Sequence, residues 1–234
     1  MAFCIDEEGN SYFAGSTQDE RFKTTENAYI KDYSIGGGSY VIKVNNTGTR
    51  IIYSTFIGAY SHVSDICTDK FGNAFLTGVT SSKNFPVTND KFKKPINFRQ
   101  NVIIVKLNPE GSKAVYSTCI AGSNKGLNNN LGIAIAVDDS GYAYVGGIAG
   151  SFDFTTTSSP INTFMTDNES TRNRTFILKL DTDGDSLISS VCFGKVFTTI
   201  ELNDLKLDKD GRIYFVCFTY DPLGYIVTPH AFQK

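Results

Sequence analysis

Tryptophan is absent from this chain of 234 residues, and proline occurs only 6 times. No apolar run approaches the roughly 20 residues that cross a bilayer as a helix, so we expect no membrane insertion. Lysines and arginines are spread along the chain, and the formal net charge is −2. This balance provides no basic surface, so we expect no nucleic-acid partner.

Cysteine and histidine are too few and too dispersed for the common metal and catalytic motifs. The 5 cysteines are odd in number and include no CxxC pair, which excludes a complete disulfide framework and a zinc ribbon. We expect His62 and His230 to lie in different loops as surface residues, and neither has a catalytic motif around it. We therefore predict free thiols, no cofactor and no catalytic residue.

The residues that are abundant favour β-strands. The chain contains 18 phenylalanines, 12 tyrosines and 21 glycines. Aromatic and β-branched residues form short clusters that Gly, Asn and Asp interrupt, and no helical stripe is evident. The composition therefore predicts an all-β fold.

The sequence contains an internal repeat that starts four times. Segments 2–17, 65–80, 134–149 and 204–219 share a glycine, with an aspartate three residues before it and an aromatic residue three residues after it. Glycine supplies the positive φ of a tight turn, and aspartate hydrogen-bonds the turn backbone, so each segment predicts a hairpin. The shared residues are Gly9, Gly72, Gly141 and Gly211, with Asp6, Asp69, Asp138 and Asp208.

A second block recurs in the first three units, at 40–58, 103–122 and 176–194. It predicts another hairpin, so each complete unit supplies four strands. We expect the stems of its shared lysines to pack along the sheet, with their ammonium groups at the rim, near the repeated aspartates. The shared residues are Lys43, Lys106 and Lys179, with Gly48, Gly111 and Gly184.

Four antiparallel strands per repeat predict a β-propeller built of four-stranded blades. The units run approximately over 2–63, 64–132, 133–202 and 203–234, the last being partial, within a single segment 1–234. An open stack of four-stranded sheets is the alternative. The propeller is favoured because both strand faces are apolar: Ile135 and Val137 alternate with Ala134 and Ala136, whose small side chains allow a neighbouring sheet to approach closely.

These motifs together resemble a known repeat. D-x-x-G-N-x-(Y/F), F-P-x-T, a strand ending in Lys-(Leu/Val)-Asn, and V-Y-S-T-x-x-G occur in this order, best between 40 and 122. The pattern is similar to the SBBP beta-propeller repeat, and the resemblance covers almost the whole chain. It implies a propeller within a large bacterial surface or secreted protein, and no general catalytic residues. An extracellular or cell-surface location is expected on this basis, although the N-terminal MAFCIDEEGN contains no secretory signal.

The stretch DTDGDS (181–186) has the alternating carboxylates of an EF-hand opening. It occupies the place held by NNTGTR (45–50) and NPEGSK (108–113) in the other units, where no carboxylate cage is possible. We therefore interpret it as a turn and predict no metal site there. The stretch SIGGGSY (34–40) is not a phosphate loop, since no Lys-Ser/Thr follows it.

Residues that depart from the repeat are the candidates for function. Asp65, Asp204 and Lys206 stand on first strands where other units have Ala or Cys. In propellers that strand lines the central channel, so these residues are our candidate ligand contacts; the alternative is a solvated channel mouth. The long connection NTFMTDNESTRNRT (162–175) is either a recognition loop or a variable one.

The sequence thus favours a non-enzymatic scaffold or binding module for a protein or carbohydrate ligand. The alternative is a fragment of a propeller enzyme of the NHL or gluconolactonase type, with a metal-assisted hydrolase or lyase site at the channel. That site requires several convergent Asp, Asn, Glu or His residues on the first strands, where only Asp65 and Asp204 are found.

The fourth unit stops after its second strand. We expect RIYFVCF (212–218) to present an unpaired apolar edge. The chain is therefore predicted to form about three and a half blades. These form an open arc or part of a larger, possibly seven-bladed ring, and the edge pairs with further repeats or with another chain.

Overall fold

The computed structural model describes residues 1–32, 36–88, 91–92, 100–120, 122, 126–151, 153–157, 174–193 and 200–219. His230, most of the predicted loop at 162–175 and everything from residue 220 onward lie outside the described residues.

The described residues form fourteen β-strands and contain no helix, so the predicted all-β class is confirmed. No helix of these ranges therefore has the length and hydrophobicity of a membrane span. The strands are β1 Ala2–Ile5, β2 Ser11–Thr17, β3 Gly38–Val44, β4 Ile51–Ala59, β5 Ser61–Thr68, β6 Ala74–Thr80, β7 Asn101–Leu107, β8 Ala114–Ile120, β9 Gly126–Val137, β10 Ala143–Ser151, β11 Arg174–Leu180, β12 Leu187–Phe193, β13 Ile200–Leu207 and β14 Ile213–Thr219.

The strands pair into antiparallel sheets in chain order. Three sheets have four strands each, namely β1–β4, β5–β8 and β9–β12, and β13 pairs with β14. Each first hairpin turns at the shared glycine, as at Gly9 with φ +84°. There the Asp6 carboxylate accepts the amides of Glu8 and Asn10, at 3.1 and 2.8 Å. The same bonds form at Asp69, Asp138 and Asp208.

Successive sheets pack face to face, with a hydrophobic cluster between each neighbouring pair. Alternation along β9 places Ile135 in the cluster toward the second sheet and Ala134 in the cluster toward the fourth. Val137 and Ala136 pack in the same alternating sense. The prediction that β9 has two apolar faces, one of which carries small side chains, is confirmed.

The first strand of each later sheet begins ahead of the repeat boundary read from the sequence. β5, β9 and β13 start at Ser61, Gly126 and Ile200, whereas the boundaries fall at 64, 133 and 203. The three boundary residues, Ser64, Ile133 and Asn203, are each skipped at a β-bulge where the first strand pairs with the second. The shared motif marks the end of the first strand and carries no signal for its start.

The segment between the second and third strands covers the outer edge of each complete sheet. In the second sheet the Thr88 amide donates to the Ser117 carbonyl at 2.9 Å, and the Ser117 amide donates to the Thr88 hydroxyl at 3.0 Å. Thr25 with Ser54 and Thr157 with Ser190 repeat both bonds. The recurring threonine of the connection thus satisfies backbone groups that an edge strand leaves open.

Candidate functional site

In each of the three complete sheets, the repeated aspartate forms an ion pair with a lysine of the third strand. The Lys43 ammonium lies 3.3 Å from the Asp6 carboxylate, and both side chains are almost fully buried. The predicted proximity of lysine and aspartate is confirmed, but the burial of the Lys43 side chain contradicts the expected position of its ammonium at the rim. The equivalent distances are 4.0 Å for Lys106–Asp69 and 3.5 Å for Lys179–Asp138.

The same lysines lie over aromatic rings because the strand register aligns them. Lys43 pairs with Tyr12 on β2 and with Tyr53 on β4. Its ammonium is 4.9 Å from the centroid of the Tyr12 ring. A cation over an aromatic face contributes roughly 0.5–2 kcal/mol, depending on how far it is desolvated.

The Asp6 carboxylate is the centre of a dense set of donors. Burial acts to raise the pKa of Asp6, but hydrogen bonds from Asn10, Tyr12 and Lys43 outweigh it, so the pKa lies below its usual value. The Tyr12 hydroxyl lies 2.9 Å from this carboxylate and also 3.2 Å from the Gly72 carbonyl on the second sheet. The repeated cluster therefore stabilises the sheet and its contact with the next one, and its polar groups are occupied.

The DTDGDS stretch is a turn, as predicted. The Asp181 carboxylate accepts the amides of Asp185 and Ser186, at 2.9 and 3.2 Å. The side-chain oxygens of Asn45 and Asn108 accept the corresponding two amides in the other sheets. The Asp185 carboxylate pairs with Lys91 at 2.6 Å. Two of the three carboxylates therefore have protein partners.

The glycine of this turn also contacts the preceding sheet. A Cβ on Gly184 would lie 2.3 Å from the Tyr116 ring, and one on Gly111 would lie 2.4 Å from the Tyr53 ring. At Gly48, in the first sheet, an added Cβ would meet no atom within 4 Å. The second-hairpin turn of one sheet thus lies directly on an outer-strand tyrosine of the sheet before it.

Asp65 joins two sheets. Its carboxylate accepts the amide of Ile66 at 2.8 Å and the amide of Ile135, on β9 of the third sheet, at 2.9 Å. The pKa of Asp65 lies above its usual value because burial raises it most, and the nearby charge of Asp204 adds to this effect. The two hydrogen bonds and the charge of Lys206 lower the pKa but do not outweigh burial. The predicted site residue therefore has a structural contact between first strands.

Asp204 and Lys206 form the more accessible part of the predicted site. They pair at 3.0 Å, with side chains 53% and 69% exposed. Asp204 accepts the Leu205 amide at 2.8 Å, as Asp65 accepts that of Ile66. The structure thus brings the three predicted residues within electrostatic range of one another along the first strands.

The residues placed by the structure include no group of three or more His, Cys, Asp or Glu side chains that could hold a metal ion. None of the five cysteines forms a disulfide in the structure. Burial is the largest influence on the Cys4 and Cys192 thiols and raises their pKa to about 12 and about 11.

A cavity that was not predicted from the sequence lies beside His62, which is an exposed residue of β5 and does not lie in a loop as expected. Its volume is about 500 Å³, and it opens between the first and second sheets. Tyr60, in its wall, is the single non-glycine residue with positive φ in the described part of the chain, at 49°. The three consecutive glycines of SIGGGSY were the available signal, because Gly36, Gly37 and Gly38 line the same cavity.

No protein-family model matches the chain, and no curated protein matches its sequence.

Proposed function

We propose that the chain is a non-enzymatic β-propeller repeat module, with each four-stranded sheet serving as a blade. It acts as a scaffold that carries a binding surface for a protein or carbohydrate ligand. The face-to-face packing of successive sheets in chain order supports the propeller arrangement. The resemblance to the SBBP repeat supports a place in a larger bacterial surface or secreted protein.

One observation carries the scaffold role: the recurring polar groups bind one another. The Asp6–Lys43 pair and its equivalents lie within the sheets, and the Thr–Ser bonds lie along their edges. Groups that recur in every complete sheet and are satisfied internally are not available to a ligand. Ligand contacts therefore fall to residues that break the repeat, of which Asp204 and Lys206 are the exposed predicted pair.

The enzyme alternative gains no support from the first strands. A metal-assisted site at the channel requires carboxylate oxygens directed at the ion. The Asp65 carboxylate accepts two backbone amides, and Asp204 accepts a third amide and pairs with Lys206.

The exposed face of β14 supports pairing with further repeats or with another chain. Val216 is 64% exposed, and its neighbours on the same face, Tyr214 and Phe218, are also exposed. In the second and third sheets, the residues equivalent to Tyr214 are Phe75 and Tyr144, which are buried against the next sheet. An exposed face of this kind is suited to a partner blade.

The function is tested by screening the immobilised chain against libraries of glycans and peptides in solution. Each bound ligand is then recovered for mass spectrometry. We expect binding, with every ligand recovered chemically unchanged, with or without added calcium. A product of altered mass that forms only in the presence of the chain would establish the enzyme alternative instead.

A further inference from the structure

The cavity between the first and second sheets is lined mostly by residues outside the shared repeat motifs. It measures about 500 Å³ and lies where β4, β5 and the glycine-rich loop before β3 meet. Its polar lining comes from Ser16, Gln18, His62, Ser81 and Gln100, and Tyr60 contributes an aromatic ring. The His62 Nδ1 lies 3.3 Å from the Ser16 hydroxyl, so the imidazole is already oriented by the first sheet.

Tyr60 is held in an unfavourable backbone conformation. A left-handed φ is uncommon at a bulky residue and persists only where the surroundings enforce it. Here the Tyr60 amide donates to the Gly37 carbonyl, and the Tyr60 carbonyl accepts the Ser81 amide, both at 3.0 Å. The single residue that joins β4 to β5 is thus fixed from two sides.

The glycine-rich loop lies directly under the Tyr60 ring. A Cβ on Gly36 would lie 2.5 Å from ring atoms of Tyr60, so a side chain at 36 would displace the ring. Yet Tyr60 remains 54% exposed, and it also lines a neighbouring cavity of about 380 Å³. Tyr60 therefore presents a fixed, accessible aromatic surface between two openings.

No Asp, Glu, Lys or Arg is among the residues that line the larger cavity in the described part of the chain. An anionic ligand such as a phosphate would find no cation there, and a cationic ligand would find no carboxylate. Hydroxyl, amide and imidazole groups donate and accept hydrogen bonds without carrying a fixed charge. The lining therefore suits a ligand that is polar but neutral.

We propose that this cavity binds a neutral saccharide, with one sugar ring stacked on Tyr60. A pyranose has a face of C–H groups, which packs on an aromatic ring, and a rim of hydroxyls, which needs both donors and acceptors. An aromatic surface beside a few fixed polar groups meets both needs. Asp204 and Lys206 do not line this site. The proposal rests on the proposed binding function and specifies the class of ligand.

The test uses saturation-transfer NMR titrations of the full chain with maltotriose, cellotriose, chitotriose, mannotriose and laminaritriose, and with trigalacturonate as an anionic comparison. We expect at least one neutral trisaccharide to bind and trigalacturonate not to bind. Tyr60→Gly removes the ring and suits the left-handed φ, so the fold is retained. It should weaken binding by about tenfold or more, which corresponds to at least about 1.4 kcal/mol.

Phe71→Ala is the matched control, because it removes another exposed aromatic ring, which lies in the β5–β6 turn and does not line the cavity. It should leave the affinity unchanged, whereas His62→Ala should lower it. Thermal unfolding of each variant establishes that it is folded.

The proposal is overturned if no neutral trisaccharide binds the folded chain, if trigalacturonate binds as well, or if Tyr60→Gly binds as the unmodified chain does. A saccharide that is lost with Asp204→Asn and Lys206→Gln but retained with Tyr60→Gly overturns the cavity site and leaves the binding function standing. Failure of the whole glycan and peptide screen overturns the binding function itself.

Discussion

The Asp6 carboxylate and the Lys43 ammonium lie 3.3 Å apart inside the first sheet. The pair recurs at 4.0 Å as Asp69–Lys106 and at 3.5 Å as Asp138–Lys179. Asp208, on the two-stranded sheet, is instead approached by Arg212 from its own turn, also at 3.3 Å. A charged group that recurs in each complete sheet with the same partner belongs to the scaffold, and this is why we look for function among the exceptions.

The ion pairs should contribute to stability in the order of their burial. Lys43→Met leaves the Asp6 carboxylate buried without its cation and should lower the free energy of unfolding by about 3 kcal/mol. Lys179→Met should cost less, because Lys179 and Asp138 are 24% and 20% exposed. Urea denaturation of both variants checks the order. Asp19→Asn, which removes the exposed charge partner of Arg21 (side chains 48% and 86% exposed), is the control and should have no resolved effect. Equal losses at Lys43 and Lys179 would contradict this reading.

The buried tyrosines of the outer strands should tolerate loss of their hydroxyls. Tyr53 and Tyr116 have buried hydroxyls without a hydrogen-bond partner among the described residues. Tyr53→Phe and Tyr116→Phe should therefore leave the unfolding free energy unchanged or raise it. Tyr12→Phe removes the bonds to Asp6 and Gly72 and should cost about 1–2 kcal/mol. Chemical denaturation of the three variants tests the contrast, which fails if Tyr116→Phe is as costly as Tyr12→Phe.

The turn motif and the polar pairs within a sheet were predictable, because they depend on residues at fixed spacing. Asp6 and Gly9, like their equivalents in the other units, specify a hairpin. Lys43 lies on β3, the strand that pairs with the second strand of that hairpin. The bond from Ile135 to Asp65 was not predictable, since it joins two sheets and depends on how they are stacked. The backbone conformation of Tyr60 could not be predicted either, because a tyrosine side chain does not favour a left-handed φ.

The thiols should be free and slow to react in the folded protein. Burial raises the pKa of Cys4 to about 12, so little of its reactive thiolate exists at pH 8. Cys67 and Cys192 are shifted in the same direction by burial. Titration with a disulfide reagent under denaturing, non-reducing conditions should give 5 thiols per chain. A result of three or one would reveal a disulfide and contradict this prediction.

Calcium should not stabilise the described turns. In DTDGDS, Asp181 accepts turn amides and Asp185 binds Lys91, so these carboxylates already have partners. A ligand present at a hundred times its dissociation constant would add about 2.7 kcal/mol to the unfolding free energy. We expect no change in melting temperature between millimolar calcium and chelator. A rise of several degrees that is absent in Asp183→Asn would identify a metal site in this loop.

Successive sheets interlock, because the second-hairpin glycine of the second and of the third sheet lies on a tyrosine of the sheet before it. Gly48, Gly111 and Gly184 all have positive φ, but an added Cβ would meet no atom within 4 Å at Gly48, whereas it would collide with Tyr53 at Gly111 and with Tyr116 at Gly184. Gly48→Ala therefore measures the cost of the backbone conformation alone, about 1–2 kcal/mol. Gly184→Ala adds the collision between sheets, which costs roughly a further 1–3 kcal/mol.

The most direct measurement is a double-mutant cycle between Gly184→Ala and Tyr116→Ala, with Gly48→Ala in place of Gly184→Ala as the control, followed by urea denaturation. We predict that Tyr116→Ala removes the extra cost of Gly184→Ala, giving a coupling of about 1 kcal/mol or more, and that it shows no coupling with Gly48→Ala. Equal costs for Gly48→Ala and Gly184→Ala, together with additive effects in both cycles, would contradict the interlocked arrangement.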